Sequence, residues 1–114
     1  MNERVLKSLF DIKLAIQEID SFLPSEKISL SDYKNDLLLK RAIERNLEII
    51  GEAMNRILKE EPDFPIEEAP RIVGLRNQII HGYDSISDEI IWAILVNHLP
   101  NLRSEVNNLT KDFE

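Results

Sequence analysis

The chain has 114 residues, with 14 Lys and Arg against 21 Asp and Glu and a formal net charge of −7. That length supports one domain over residues 1–114, and the acidity excludes gripping nucleic acid by bulk charge, so any polyanion needs a local cationic site. With no Cys, disulfides, iron–sulfur clusters and thiolate zinc sites are excluded, and a reducing, cytoplasmic setting is expected.

Aromatic residues make up only 6% and there are three glycines, while Leu and Ile dominate. This is the composition of an all-α protein, and the expected architecture is an antiparallel bundle of four to five helices. The Met-Asn-Glu-Arg start shows no apolar signal block, and no apolar run approaches the roughly 20 residues of a bilayer span, so no membrane association is expected.

Val5, Leu9, Ile12, Ile16, Ile19 and Leu23 recur at three- and four-residue steps, the stripe of an amphipathic helix from Asn2 to Leu23. Pro24 ends it, because the residue before a proline is biased away from helical geometry. Residues 25–31 read as a connection with Ser29 or Ser31 as N-cap. A second helix is predicted from about Asp32 to Lys59, with Leu39, Ile43, Ile50, Ala53, Met54 and Ile57 on a wide apolar face. Gly51 within it costs about 1 kcal/mol relative to alanine and points to the close approach of a neighbouring helix.

Residues 60–70 hold three prolines and four glutamates and read as a turn-rich connection. A third helix starts at Arg71 and carries Ile72, Val73, Leu75, Ile79 and Ile80, with Gly82 as its C-terminal stop. Ser85 or Ser87 caps a long last helix whose stripe Ile91, Leu95, Leu99, Leu102, Val106, Leu109 and Phe113 stays in phase across Pro100, which predicts a kinked helix.

Chemistry has few places to sit. His98 stands beside Leu99 without obvious polar company and reads as a partly buried or rim histidine. Two histidines and no Cys make a zinc site a poor reading, and neither metal nor cofactor is called for. The adjacent pairs Glu60-Glu61, Glu67-Glu68 and Asp88-Glu89 diverge on a helix and read as solvated charge. What remains is Arg76-Asn77-Gln78-Ile79-Ile80-His81-Gly82-Tyr83, which gathers a guanidinium, an amide, an imidazole and a phenol at a helix end.

Asn77 and His81 are four apart and share a face, so the amide is placed to orient the imidazole. Arg76 and His81 point about 140° apart on an ideal helix, and converge only if the arginine's stem reaches around or a second subunit closes the cleft. The set suits phosphodiester chemistry: imidazole moves protons near neutrality, and guanidinium stabilises charge on phosphate oxygens. RNA supplies its own nucleophile in the 2′-hydroxyl. A two-fold axis passing His81 would bring the second imidazole that an acid/base couple needs.

Arg76-x4-His81-x-Tyr83 resembles the RX4HXY signature of the HEPN superfamily, HepT-like branch. The run Arg41-Ala42-Ile43-Glu44-Arg45-Asn46-Leu47-Glu48-Ile49-Ile50-Gly51-Glu52-Ala53 resembles that family's second-helix block, and Ile91-Trp92 with Leu99-Pro100 resembles its last helix. The likeness covers essentially the whole chain. It departs in one place: many members carry tryptophan after the proline of the loop before the motif helix, whereas Pro65 is followed here by Ile66.

The resemblance implies a HEPN-like all-helical homodimer with the motif helices facing across a cleft. It implies a metal-independent endoribonuclease, the toxin of a type VII-like toxin–antitoxin pair. Its partner is a minimal nucleotidyltransferase antitoxin that neutralises it by transferring AMP to the motif tyrosine, with higher hetero-oligomers as a further expectation. Carried over, Arg76 and His81 are catalytic, Asn77 is a supporting polar residue and Tyr83 is the modification site.

Two other readings stand beside this one. A non-catalytic helical dimer that binds a nucleotidyltransferase or a nucleotide fits the acidic exterior, since Arg and His also serve simply as anion ligands. A purely structural oligomerisation domain is the third. Arg41, Arg45, Arg56, Arg71 and Arg76 are the candidates for a local cationic patch, whose clustering the sequence leaves open.

Overall fold

The computed structural model describes residues 1–23, 28–81 and 87–114. Among these residues six α-helices follow in chain order: α1 Glu3–Phe22, α2 Leu30–Lys34, α3 Leu37–Glu60, α4 Ala69–His81, α5 Asp88–Asn97 and α6 Leu99–Thr110, with a closing 3-10 turn over Lys111–Phe113. Among the described residues there is no strand, and no helix is long and apolar enough to cross a membrane.

The first helix forms where its stripe predicts. Asn2 caps it by accepting the Val5 N–H at 2.8 Å, and Val5, Leu9, Ile12, Ala15, Ile16 and Ile19 are buried. The Glu60 carboxylate accepts from Asn2 and Arg4, while Arg56 donates to Ser8 and Asp11, so α1 runs antiparallel to α3. Arg103 donates to Asp20 and Lys13 to Thr110, which sets α6 antiparallel to α1 as well. Helix α3 is thus covered by α1 on one side and by α4 on another, and α5 joins α6 to α2.

The expected second helix is broken. Its first turn is α2, closed by a capping box in which Ser29 and Asp32 satisfy each other's backbone N–H. Backbone hydrogen bonds from Ser29 and then the Ser29 hydroxyl hold the Asp32 carboxyl below its usual range. At Asn35 the chain leaves helical geometry, and the Asp36 side chain starts α3 by accepting the Leu39 N–H at 3.0 Å. Short polar side chains that bond nearby backbone compete with a continuous helix, and two in succession end this one.

The last helix is also interrupted, at His98. The Leu102 N–H still bonds the His98 carbonyl at 3.1 Å, and Pro100 sits in the first turn of α6, where a missing N–H is harmless. The stripe stays buried through Val106. Phe113, expected to continue it, is instead 53% exposed, because the tighter 3-10 turn rotates it off the core-facing side.

Candidate active site

Helix α4 carries the motif, and packing fixes which way it faces. Ala69, Ile72 and Leu75 are buried against the bundle, whereas Pro70, Arg71, Gly74, Asn77 and Gln78 are exposed. Arg76 lies between these two sides and is half-buried. Gly51 of α3 stands directly against it. A Cβ at position 51 would fall 2.2 Å from Arg76 Cβ, 2.8 Å from its Cγ and 3.1 Å from the Ile72 carbonyl oxygen. The close approach expected of Gly51 is therefore real, and the element that approaches is the motif helix.

The stem of Arg76 is thereby seated on the α3 backbone, and its head turns outward. Nη1 donates to Asn77 Oδ1 at 3.1 Å, on the exposed side of α4. The head of Arg76 thus lies on the Asn77 side of the helix. Position 81 closes α4 one helical turn beyond Asn77. The side chain of His81 and residues 82–86, including Gly82 and Tyr83, lie outside the described residues. Asn77, expected to orient an imidazole, is seen engaging the guanidinium. Arg76 Nε is buried and has no partner among the described residues.

The start of α4 is held as firmly as its middle. Phe64 and Ile66 of the preceding loop are buried, the latter filling with an aliphatic side chain the position after Pro65. The Glu67 N–H donates to the Glu105 carboxylate of α6 at 2.9 Å. Glu68 Oε2 lies 3.1 Å from both Arg71 Nε and His98 Nδ1. Two expectations are corrected here: His98 does have polar company, and Glu68, only 15% exposed at its side chain, is tucked between Arg71 and His98 rather than solvated, at ion-pair distance from both but without hydrogen-bond geometry to either. His98 lies 30 residues away in sequence, beyond any local pattern. Asp88 and Glu89 are likewise paired, with Lys40 and Lys34.

The arginines do not make one patch. Arg41 pairs with Glu44, Arg45 with Glu48 and Arg71 with Glu68, each three residues away, while Arg56 turns to Asp11 of α1. Arg76 alone among the five sits against the α3–α4 contact with its head unmatched by a carboxylate among the described residues.

The family model described as "Ribonuclease HepT-like" matches residues 12–109. A candidate RNase of Methanocaldococcus jannaschii is 32% identical over 110 residues, covering 93% of this chain and 87% of that protein. A candidate RNase of Caldanaerobacter subterraneus subsp. tengcongensis is 34% identical over 99 residues, covering 82% and 86%. A protein of Thermococcus cleftensis named as a probable ribonuclease HepT is 31% identical over 107 residues, covering 90% and 93%. No solved structure matches the chain.

Proposed function

The chain belongs to the HepT-like ribonuclease family, and on that footing we propose that it is a metal-independent endoribonuclease acting as a homodimeric toxin. The observation that carries the proposal is the seating of Arg76 against Gly51 with its guanidinium turned to the Asn77 side of α4. In this reading the guanidinium binds the scissile phosphate and stabilises the charge that builds on its non-bridging oxygens.

The His81 imidazole takes the proton of the 2′-hydroxyl as its oxygen attacks phosphorus. His81 of the partner subunit gives a proton to the departing 5′-oxygen. The P–O5′ bond breaks, leaving a 2′,3′-cyclic phosphate on one fragment and a 5′-hydroxyl on the other. Helix α4 supports the pairing of two copies. Gly74 is exposed with nothing within 4 Å of a Cβ built there, and Pro70, Arg71, Asn77 and Gln78, which share its face of α4, are exposed as well. A second helix can approach closely at such a glycine.

Regulation in this reading falls on Tyr83. AMP transferred to it by a minimal nucleotidyltransferase antitoxin adds bulk and negative charge beside the phosphate site, which excludes RNA by the logic of phosphorylation. The test of the activity is incubation of the purified protein with RNA in EDTA. Fragments ending in 2′,3′-cyclic phosphate, lost in Arg76→Ala, are expected. RNA bound but left intact by the wild-type protein would instead favour the non-catalytic binding module.

A further inference from the structure

We infer that the cleft between α1 and α3, lined by Arg4, Lys7, Ser8, Arg56, Lys59 and Glu60, holds backbone phosphates of a single RNA strand outside the cleavage site; this rests on the ribonuclease reading. The cleft encloses about 270 Å³. It collects four of the fourteen Lys and Arg of an otherwise acidic chain.

Its carboxylates are too few to neutralise it. Lys7 and Arg56 share Asp11, Arg4 pairs with Glu60, and Lys59 makes no ion pair among the described residues. Glu3 stands with Arg4 and Glu60 at the adjoining hollow. The Arg4 and Lys7 side chains are 85% and 77% exposed, so their heads are free to move onto an anion. Ser8, only 4% exposed, accepts from Arg56 Nε at 3.5 Å and keeps its own hydroxyl hydrogen to donate. Cationic heads at a rim, alkyl stems for walls and a hydroxyl on the floor suit a phosphodiester and its ribose.

Arg41, Arg45 and Arg71 each stand beside a carboxylate of their own three residues away, whereas the cleft sets Arg4, Lys7, Arg56 and Lys59 against only Asp11, Glu60 and Glu3 among the described residues. Arg56 and Lys59 lie about 8 to 12 Å further along α3 than Gly51, against which Arg76 rests. They are on the α1 side of α3, so a strand engaging both places wraps the helix and must be several nucleotides long.

The test is binding of a fluorescent 12-nucleotide 2′-O-methyl strand, which lacks the nucleophile, to the full chain over a range of salt. Lys7→Glu/Lys59→Glu is expected to weaken binding by at least 10-fold at low salt. It should also flatten the slope of log K against log salt by about 1.4, two single-strand phosphate contacts at roughly 0.7 each. Lys7→Arg/Lys59→Arg should bind as the wild type does, which separates lost charge from a disturbed fold. Unchanged affinity and slope in the Glu variant would overturn the proposal, as would loss of binding to an antitoxin protein with RNA binding intact. Because the strand cannot be cut, absence of ribonuclease activity leaves this result readable, and tight cleavage with an unaffected Glu variant refutes the cleft alone.

Discussion

Gly51 and Arg76 occupy adjoining space that no larger residue at position 51 can share, since a Cβ there would stand 2.2 Å from the arginine's own. The contact lies at the stem of the side chain, where rotation of a flexible end brings no relief, so α4 itself would have to shift. The glycine thus links the packing of the bundle to the placement of the proposed phosphate-binding group.

Gly51→Ala is therefore expected to destabilise the protein by about 1–3 kcal/mol from overpacking, lessened by the roughly 1 kcal/mol that alanine gains as a helix former. Gly74→Ala meets nothing within 4 Å and should raise the stability of the isolated chain by up to about 1 kcal/mol. Urea unfolding of the two variants checks the contrast, and RNA cleavage should fall in Gly51→Ala.

Tyr33 predicts a response to alkali. Its ring is fully buried against Trp92, at a centroid distance of 5.6 Å, and its hydroxyl has no partner among the described residues. Burial, then the nearby Glu44 and Asp88 carboxylates, push its pKa far above the ordinary value of about 10. The folded state therefore keeps a proton that the unfolded chain releases. The associated stability is intact below about pH 10 and is lost as pH rises beyond it. Chemical unfolding between pH 9 and 11 should show this decline in the wild type and a smaller one in Tyr33→Phe, which at pH 7 should match the wild type within about 1 kcal/mol.

The contact at the start of α4 makes a separate prediction. While the imidazole carries its proton, Glu68 and His98 should show a coupling of up to about 1 kcal/mol in a double-mutant cycle with Glu68→Gln and His98→Gln, the range of partly exposed ion pairs. Additive effects in the cycle would mean that the contact contributes nothing to holding the loop.

Regulation is tested chemically. Co-expression with a cognate nucleotidyltransferase and ATP should add AMP units to Tyr83, seen as a mass increase on the peptide that contains it. Tyr83→Phe should escape modification and keep its toxicity.

Much of the fold was legible because its signals are local. The stripe of α1, a serine cap for α5 (Ser87, one of the two offered) and the buried run Ile91, Leu95, Leu99, Leu102 and Val106, in phase across the break between α5 and α6, all follow from short-range spacing. The break at Asn35 and Asp36 was missed because each residue also tolerates a helix, and only their combined side-chain bonds end it. Gly51 announced a close neighbour but not which one, since that depends on how α4 returns after the loop. The Glu68–His98 contact joins distant segments and left no periodic trace. The α1–α3 cleft had a faint one: Arg4 with Lys7 and Arg56 with Lys59 are basic pairs three apart on two helices, but only the fold sets them side by side.

The most direct test of the central claim sets the two histidines against each other in RNA cleavage with EDTA present. Replacing an acid/base imidazole typically removes about 10²- to 10⁴-fold of rate. His81→Ala should lose activity on that scale, while His98→Ala, which removes only the contact with Glu68, should cleave as the wild type does. Cleavage by His81→Ala at the wild-type rate would contradict the account.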